Sequence, residues 1–272
     1  MIGSWKKLTI TAEADLLEII SADIIHISNG IIEEINNHIH FIEYDDIPLI
    51  KKKILKYKNK KVQFQFKEQI KEDWHLAWKD NFTQIEISDK LLILPDWENL
   101  NSSKKVIKIK PGMAFGTGHH DTTFLILQEL VGRIKPKMSV LDLGSGSGVL
   151  SIAAKKLGAE NVTAVEFDKE CKENFYENLS LNNLKNEVSI YFQDVLEWAN
   201  YDFDIILANL NKSVINKLIP ILSKNSNSEI LLTGILIDDK KDLIKLIEKF
   251  EFNINMIRNK GEWIIISINK II

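Results

Sequence analysis

Glycine at every second position after an apolar run, Val140-Leu-Asp-Leu-Gly-Ser-Gly-Ser-Gly148, is the arrangement in this chain best suited to holding a small molecule. Gly144, Gly146 and Gly148 lack the Cβ atoms that would block a tight turn and close backbone approach, and the helix-like segment Val149 to Leu157 offers its N-terminus to a ligand. The spacing is G-x-G-x-G. A dinucleotide fingerprint needs glycine where Val149 stands, so a nicotinamide dehydrogenase is the weakest of the alternatives. Asp142 beside the turn suits a ligand without phosphates and with a polar, partly cationic tail, a description that S-adenosylmethionine meets. A second apolar strand, Asn161 to Asp168, carries Glu166 about 20 residues past the turn, where a carboxylate binds ribose hydroxyls. A mere packing turn and strand-end acid would leave that spacing a coincidence.

Three further places carry polar groups suited to a ligand. The loop Pro111-Gly-Met-Ala-Phe-Gly-Thr-Gly-His-His-Asp-Thr-Thr123 is rich in glycine and hydroxyls; Thr117, Thr122 and Thr123 can bond a ligand or cap the next helix. Asp194, after the strand Val188 to Phe192, can reach an adenine amino group or serve as a surface acid. Asn209 ends the apolar strand Ile205 to Ala208, and its amide offers both donor and acceptor to a substrate amine or a methionine moiety. It resembles the Asn of amino-methyltransferases, but Leu210, Asn211 and Lys212 follow it instead of two prolines and an aromatic, which argues against nucleobase or glutamine methylation. No metal is expected, because the adjacent side chains of His119, His120 and Asp121 diverge and no other ligand cluster is visible.

These residues need a frame, and the alternation from Thr122 onward supplies one. Strand and helix patterns succeed each other through Phe250, then two strands near 252–256 and 263–268 close as an antiparallel hairpin. That pattern predicts an α/β fold, a mostly parallel Rossmann-like sheet with helices on both faces and the ligand outside the carboxyl ends of its strands. Residues 1–66 read as a small N-terminal α+β domain, ferredoxin-like in its order of elements, with Thr11 as candidate N-cap of its first helix. Residues 67–110 read as a structured connector with Trp74, Trp78 and Phe82 at helical spacing, and 111–272 as the catalytic domain.

Composition bounds the rest. The 272 residues, 45% of them apolar, suffice for real cores, and a net charge of -3 excludes a polyanion binder acting by bulk electrostatics. The single Cys171 cannot form an internal disulfide, which fits a reducing compartment; with no h-region and no apolar run of about 18 residues, the cytoplasm is expected and the membrane is not. The one strong charge run, Lys51 to Lys61, reads as a solvated face or as a contact for a polyanion such as RNA or for an acidic protein surface.

Taken together, Ala114-Phe-Gly-Thr-Gly-His-His-Asp-Thr-Thr123, Asp142 to Gly148 and Ala208-Asn-Leu-Asn211 resemble the family of bacterial methyltransferases of the large-subunit ribosomal protein L-eleven. Asp73-Trp74, Trp78-Lys79, Phe82, Ile93-Leu-Pro95, Trp97-Glu98 and Glu262-Trp263 recur in that family in this order, so the likeness covers most of the chain beyond about residue 72. It implies an N-terminal domain that grips the substrate protein, a connector that lets it swing, and a catalytic domain using S-adenosylmethionine. It also implies cofactor contacts from Thr123, Gly144, Glu166 and Asn209, to which the turn's own geometry adds Gly146 and the strand end adds Asp194. Three positions depart from many relatives: His119 and Asp121 stand for Thr and Pro, and Glu166 for Asp. The expected reaction is direct methyl transfer to a neutral amine of lysine or an α-amino terminus, with Asn209 positioning the amine and Thr117 and His120 shaping the pocket mouth; His120 is either a base or a holder of the loop. Methylation of another protein or a small amine, and cofactor binding without turnover, are the competing expectations.

Overall fold

The computed structural model describes residues 5–24, 27–28, 31–34, 37–43, 46–58, 60–69, 83–110, 118 and 120–271. The chain divides into two compact units, Met1–Phe82 and Thr83–Ile272.

The first unit runs β1 (Trp5–Thr11), α1 (Ala14–Ile24), β2 (Ile31–Glu34), β3 (Asn37–Glu43), α2 (Ile47–Ile54) and β4 (Gln63–Gln69). Its antiparallel sheet has the order β2-β3-β1-β4, the ferredoxin-like arrangement. Periodicity explains it: Leu8 and Ile10 of β1 share one face, while Leu17, Ile20 and Ile24 of α1 and Ile47, Ile50 and Ile54 of α2 recur every three or four residues, and all are buried together. Thr11 is not the cap of α1. It ends β1 and donates its hydroxyl to Asn37 at 2.6 Å, and the Glu13 carbonyl accepts the N–H groups of Leu16 and Leu17 instead. The strand continues because Thr11 still pairs with Asn37 and Gln63 on both sides.

This core contains a polar network. The Ser21 hydroxyl lies 2.6 Å from His38 Nδ1 and 3.0 Å from His40 Nε2, and Ser28 lies 3.2 Å from His40 Nδ1. Burial first, then the neighbouring His38, pushes His40 down to about 4 from 6.5. Between those values the unfolded chain binds a proton that the folded unit refuses, so stability is complete above the unfolded value and is lost as pH falls from 6.5 toward 4. The expected loss is roughly 3 kcal/mol. Hydrogen exchange on β1–β3 peptides across that window checks it; a His40→Gln variant with an undiminished slope would show that other groups are responsible.

The second unit opens with β5 (Ile85–Glu86), β6 (Leu91–Pro95) and β7 (Lys105–Ile109), a three-stranded sheet in that order. Then follow α3 (Asp121–Arg133), β8 (Ser139–Leu143), α4 (Val149–Leu157), β9 (Asn161–Glu166), α5 (Cys171–Leu181), β10 (Val188–Phe192), β11 (Ile205–Asn209), α6 (Lys212–Asn225), β12 (Glu229–Leu236), α7 (Lys240–Lys249), β13 (Phe252–Lys260) and β14 (Trp263–Lys270). The large sheet has the order β10-β9-β8-β11-β12-β14-β13. Its first five strands are parallel, and β14 and β13 are antiparallel, the hairpin read from the sequence.

Residues 83–110 are packed into this second unit. Ile87, Leu91, Ile93, Ile107 and Ile109 share one core with α3 and α4. Asn178 of α5 and Asn182, the residue that caps its end, accept the N–H groups of Lys110 and Lys108 at 2.8 and 2.9 Å, which satisfies donors along and just past the outer edge of β7. Trp74, Trp78 and Phe82 lie outside the described residues. Among the described residues no helix is long and apolar enough to cross a membrane.

Candidate active site

The chain leaves β8, builds outward through β9 and β10, and returns to lay β11 on the other side of β8. Between β8 and β11 the two carboxyl ends therefore part, and a crevice opens where neither connection covers it. Ala208 pairs with Leu143, so Gly144 and Asn209 come next on either side of that crevice. A cavity of about 530 Å³ lies there. Gly144, Gly146, Glu166, Asp168 and Cys171 line one part of it; His120, Thr122, Asn209, Leu210, Asn211, Gly234 and Trp263 line the rest.

Glu166 holds the glycine turn together. Its carboxylate accepts the N–H of Gly146 at 2.7 Å and that of Asp168 at 2.8 Å, while the Val165 carbonyl accepts the N–H of Gly144 at 2.8 Å. The length of the Glu side chain lets one carboxylate bridge the turn and the start of the following loop. Asp142, fully buried, accepts the Ser151 hydroxyl of α4 at 2.6 Å; burial first, then the charge of Glu166, pushes it up to about 7. Its second oxygen and the Ser145 hydroxyl have no partner among the described residues.

Asn209 faces Gly144 from β11 and donates to the Thr123 hydroxyl at 3.4 Å. Thr123 is itself fully buried in the first turn of α3, so it stands behind Asn209 and is not among the cavity's lining residues. His120 caps α3: its Nδ1 accepts the Thr122 N–H at 3.3 Å and lies 2.7 Å from the Thr122 hydroxyl. A nitrogen that accepts at a cap has its lone pair in use, so in this arrangement the Nδ1 of His120 holds the start of α3. Burial lowers its pKa, with Asp121 opposing, which favours the neutral ring that capping needs. Trp263 stacks edge-on against it with ring centroids 5.0 Å apart.

Asp121 pairs with Lys260 of the β13–β14 hairpin at 2.7 Å, tying α3 to the strand end that carries Trp263. Asp194 accepts the Leu196 N–H at 2.9 Å, capping a short 3-10 turn after β10, and does not line the cavity. Gly116, Thr117 and His119 lie outside the described residues. Among the described residues no group of three or more His, Cys, Asp or Glu could hold a metal ion.

Five lining residues escaped the sequence reading: Cys171, Asp168, Asn211, Gly234 and Trp263. Cys171 is an inert neutral thiol, pushed up to about 11 by burial and the carboxylates around it. Gly234 has the clearest physical role. It sits at φ +93 in a bulge of β12, and an added Cβ would lie 2.1 Å from the Leu210 carbonyl oxygen and 2.8 Å from its carbon. Backbone cannot rotate away, so Gly234→Ala is expected to cost about 2 kcal/mol or more and to displace Leu210 from the cavity. A thermal melt together with a methyl-transfer assay checks this; an unchanged midpoint and rate would mean that the bulge yields freely.

The donor set fits S-adenosylmethionine. Among the described residues no lysine or arginine lines the cavity to receive a phosphate, two carboxylates do line it, and the glycine turn leaves room that a Cβ would fill, with Leu210 2.4 Å from a Cβ placed at Gly144. A cationic, phosphate-free nucleoside suits such walls.

The family described as "Ribosomal protein L11 methyltransferase" matches the chain over residues 11–271. A ribosomal protein L11 methyltransferase of Prochlorococcus marinus is 34% identical over 296 residues, covering 99% of this chain and 96% of the relative. One of Carboxydothermus hydrogenoformans is 36% identical over 210 residues, covering 75% and 68%. Among solved structures, a ribosomal protein L11 methylase from Lactobacillus delbrueckii subsp. bulgaricus superimposes with a TM-score of 0.64 at 31% identity, over 70% of this chain and 99% of that one.

Proposed function

Since this chain belongs to the ribosomal protein L11 methyltransferase family, we propose that it methylates lysine or α-amino groups of ribosomal protein L11, with S-adenosylmethionine as methyl donor. The observation that carries the reading is Asn209, an amide backed by Thr123 at the rim of a cavity lined by carboxylates and, among the described residues, by no lysine or arginine.

When bound, S-adenosylmethionine supplies a methyl group already activated by its sulfonium, so the protein's task is alignment, desolvation and disposal of one proton. Glu166 accepts the ribose hydroxyls with the lone pairs not taken by Gly146 and Asp168. The Asn209 side-chain oxygen and the Leu210 carbonyl accept N–H bonds from the amine and aim its lone pair. Leu210 and Trp263 keep water out, and their apolar surfaces favour the neutral amine over the ammonium that an unperturbed lysine would carry. Thr117 and His120 shape the mouth.

In this reading the N-terminal α+β domain recognises the substrate protein in the cytoplasm. The lysines between 51 and 61 add a contact with ribosomal RNA when the substrate is assembled. No acidic residue interrupts the sequence from Ile47 to Lys67, which supports such a contact. The test is transfer of labelled methyl to purified ribosomal proteins, read by intact mass. Increments of one methyl confined to L11 support the reading; cofactor binding with no transfer to L11 would overturn it. An RNA contact predicts binding to assembled particles that weakens steeply with salt, and salt-independent binding would remove that part.

A further inference from the structure

Asn211, two residues beyond Asn209, has an amide whose orientation the fold dictates. It is the N-cap of α6: its side-chain oxygen accepts the Val214 N–H at 3.0 Å and the Ser213 hydroxyl at 2.7 Å. A backbone N–H can only donate, so the oxygen must face the helix and the –NH₂ must face away from it. That –NH₂ has no partner among the described residues, and the residue lines the catalytic cavity while remaining exposed at its mouth.

The rim continues from there. Lys212, next in the chain, pairs with Asp239 at 2.6 Å and so joins the start of α6 to the turn after β12. On that turn Leu236 and Ile237 expose 39% and 40% of their surfaces. With Asp238, Gly261 and Glu262 they line a second cleft of about 250 Å³. Leu236 is the register partner of Trp263, whose ring lines the catalytic cavity, so the two hollows are one strand-width apart.

Resting on the function proposed above, we infer that this rim is the track for the substrate polypeptide on either side of the methylated amine. The Asn211 –NH₂ donates to a main-chain carbonyl of the substrate, and the cleft at Leu236 and Ile237 takes an apolar side chain next to the acceptor. Asp238 and Glu262, which make no ion pair among the described residues, favour a basic stretch of chain over an acidic one. Asn211 is thus a positioning residue for the polypeptide and has no part in holding the cofactor.

Asn211→Asp separates these roles, because aspartate caps a helix as well as asparagine does but offers the substrate carbonyl an oxygen instead of a donor. The expected result is a KM for purified L11 raised about ten-fold, with the thermal midpoint and the affinity for S-adenosylmethionine retained. Ile237→Ser should raise the same KM by a few-fold. Wild-type KM in both variants, or weakened cofactor binding with KM for L11 unchanged, would overturn the track. If the wild-type chain itself transfers no methyl to L11, the proposed function and the track fall together; if wild type transfers and the variants match it, only the track falls.

Discussion

Asn209→Ala is expected to lower methyl transfer about a hundred-fold or more while leaving the fold intact. The side chain makes one long hydrogen bond, 3.4 Å to Thr123, so little stability rests on it. Its place beside Gly144 at the parting of β8 and β11, however, makes it the group that aims the amine. A misalignment of about 1 Å is enough to cost two orders of magnitude. The loss should fall on kcat, as steady-state kinetics with L11 would read. Thr123→Val should give a smaller loss of the same kind, because it leaves the amide present but unbraced, and Thr123→Ser should restore it. Wild-type turnover in Asn209→Ala would move the acceptor site elsewhere in the cavity.

Glu166→Ala acts on the other half of the cavity and on the fold together. It strips the acceptor from two N–H groups, those of Gly146 and Asp168, at a residue only 9% exposed. Bonds to a charged group contribute about 1.5–3 kcal/mol each, so the variant is expected to lose about 3 kcal/mol of stability, and its affinity for S-adenosylmethionine should fall about a hundred-fold as the turn loosens and the ribose loses its acceptor. Calorimetric titration and a denaturant melt give the two numbers. Glu166→Asp is the sharper control: it retains the charge but is too short to reach Gly146 and Asp168 at once, so stability should drop even where ribose recognition survives. Full affinity in Glu166→Ala would mean that the nucleoside is held without a carboxylate at the end of β9.

Each prediction traces to a residue that the sequence did or did not expose. The glycine turn, Glu166 and Asn209 were legible because local backbone geometry and strand ends are written in short-range pattern: glycine where a side chain cannot fit, apolar runs ending in a polar residue. The parallel sheet with its closing hairpin was legible for the same reason, since strand and helix periods alternate from residue 122 onward. Thr11 was misread as a cap because a hydroxyl before a helix pattern looks alike whether or not the strand before it has ended; pairing with Asn37 decided that.

Only the tertiary structure decided what lies across gaps in sequence. Gly234 looks like an ordinary strand glycine until the Leu210 backbone is seen 2.1 Å from where its Cβ would be. His120 gives no sign in the sequence that its Nδ1 caps a helix, beside a tryptophan 143 positions further on. The His38–Ser21–His40 network and the Asn211 amide are likewise products of packing, because hydrogen bonds are directional and their partners arrive from separate elements. By itself the sequence determined which elements form and which kind of molecule they can hold. The approach of those elements to one another determined which atoms are left facing it.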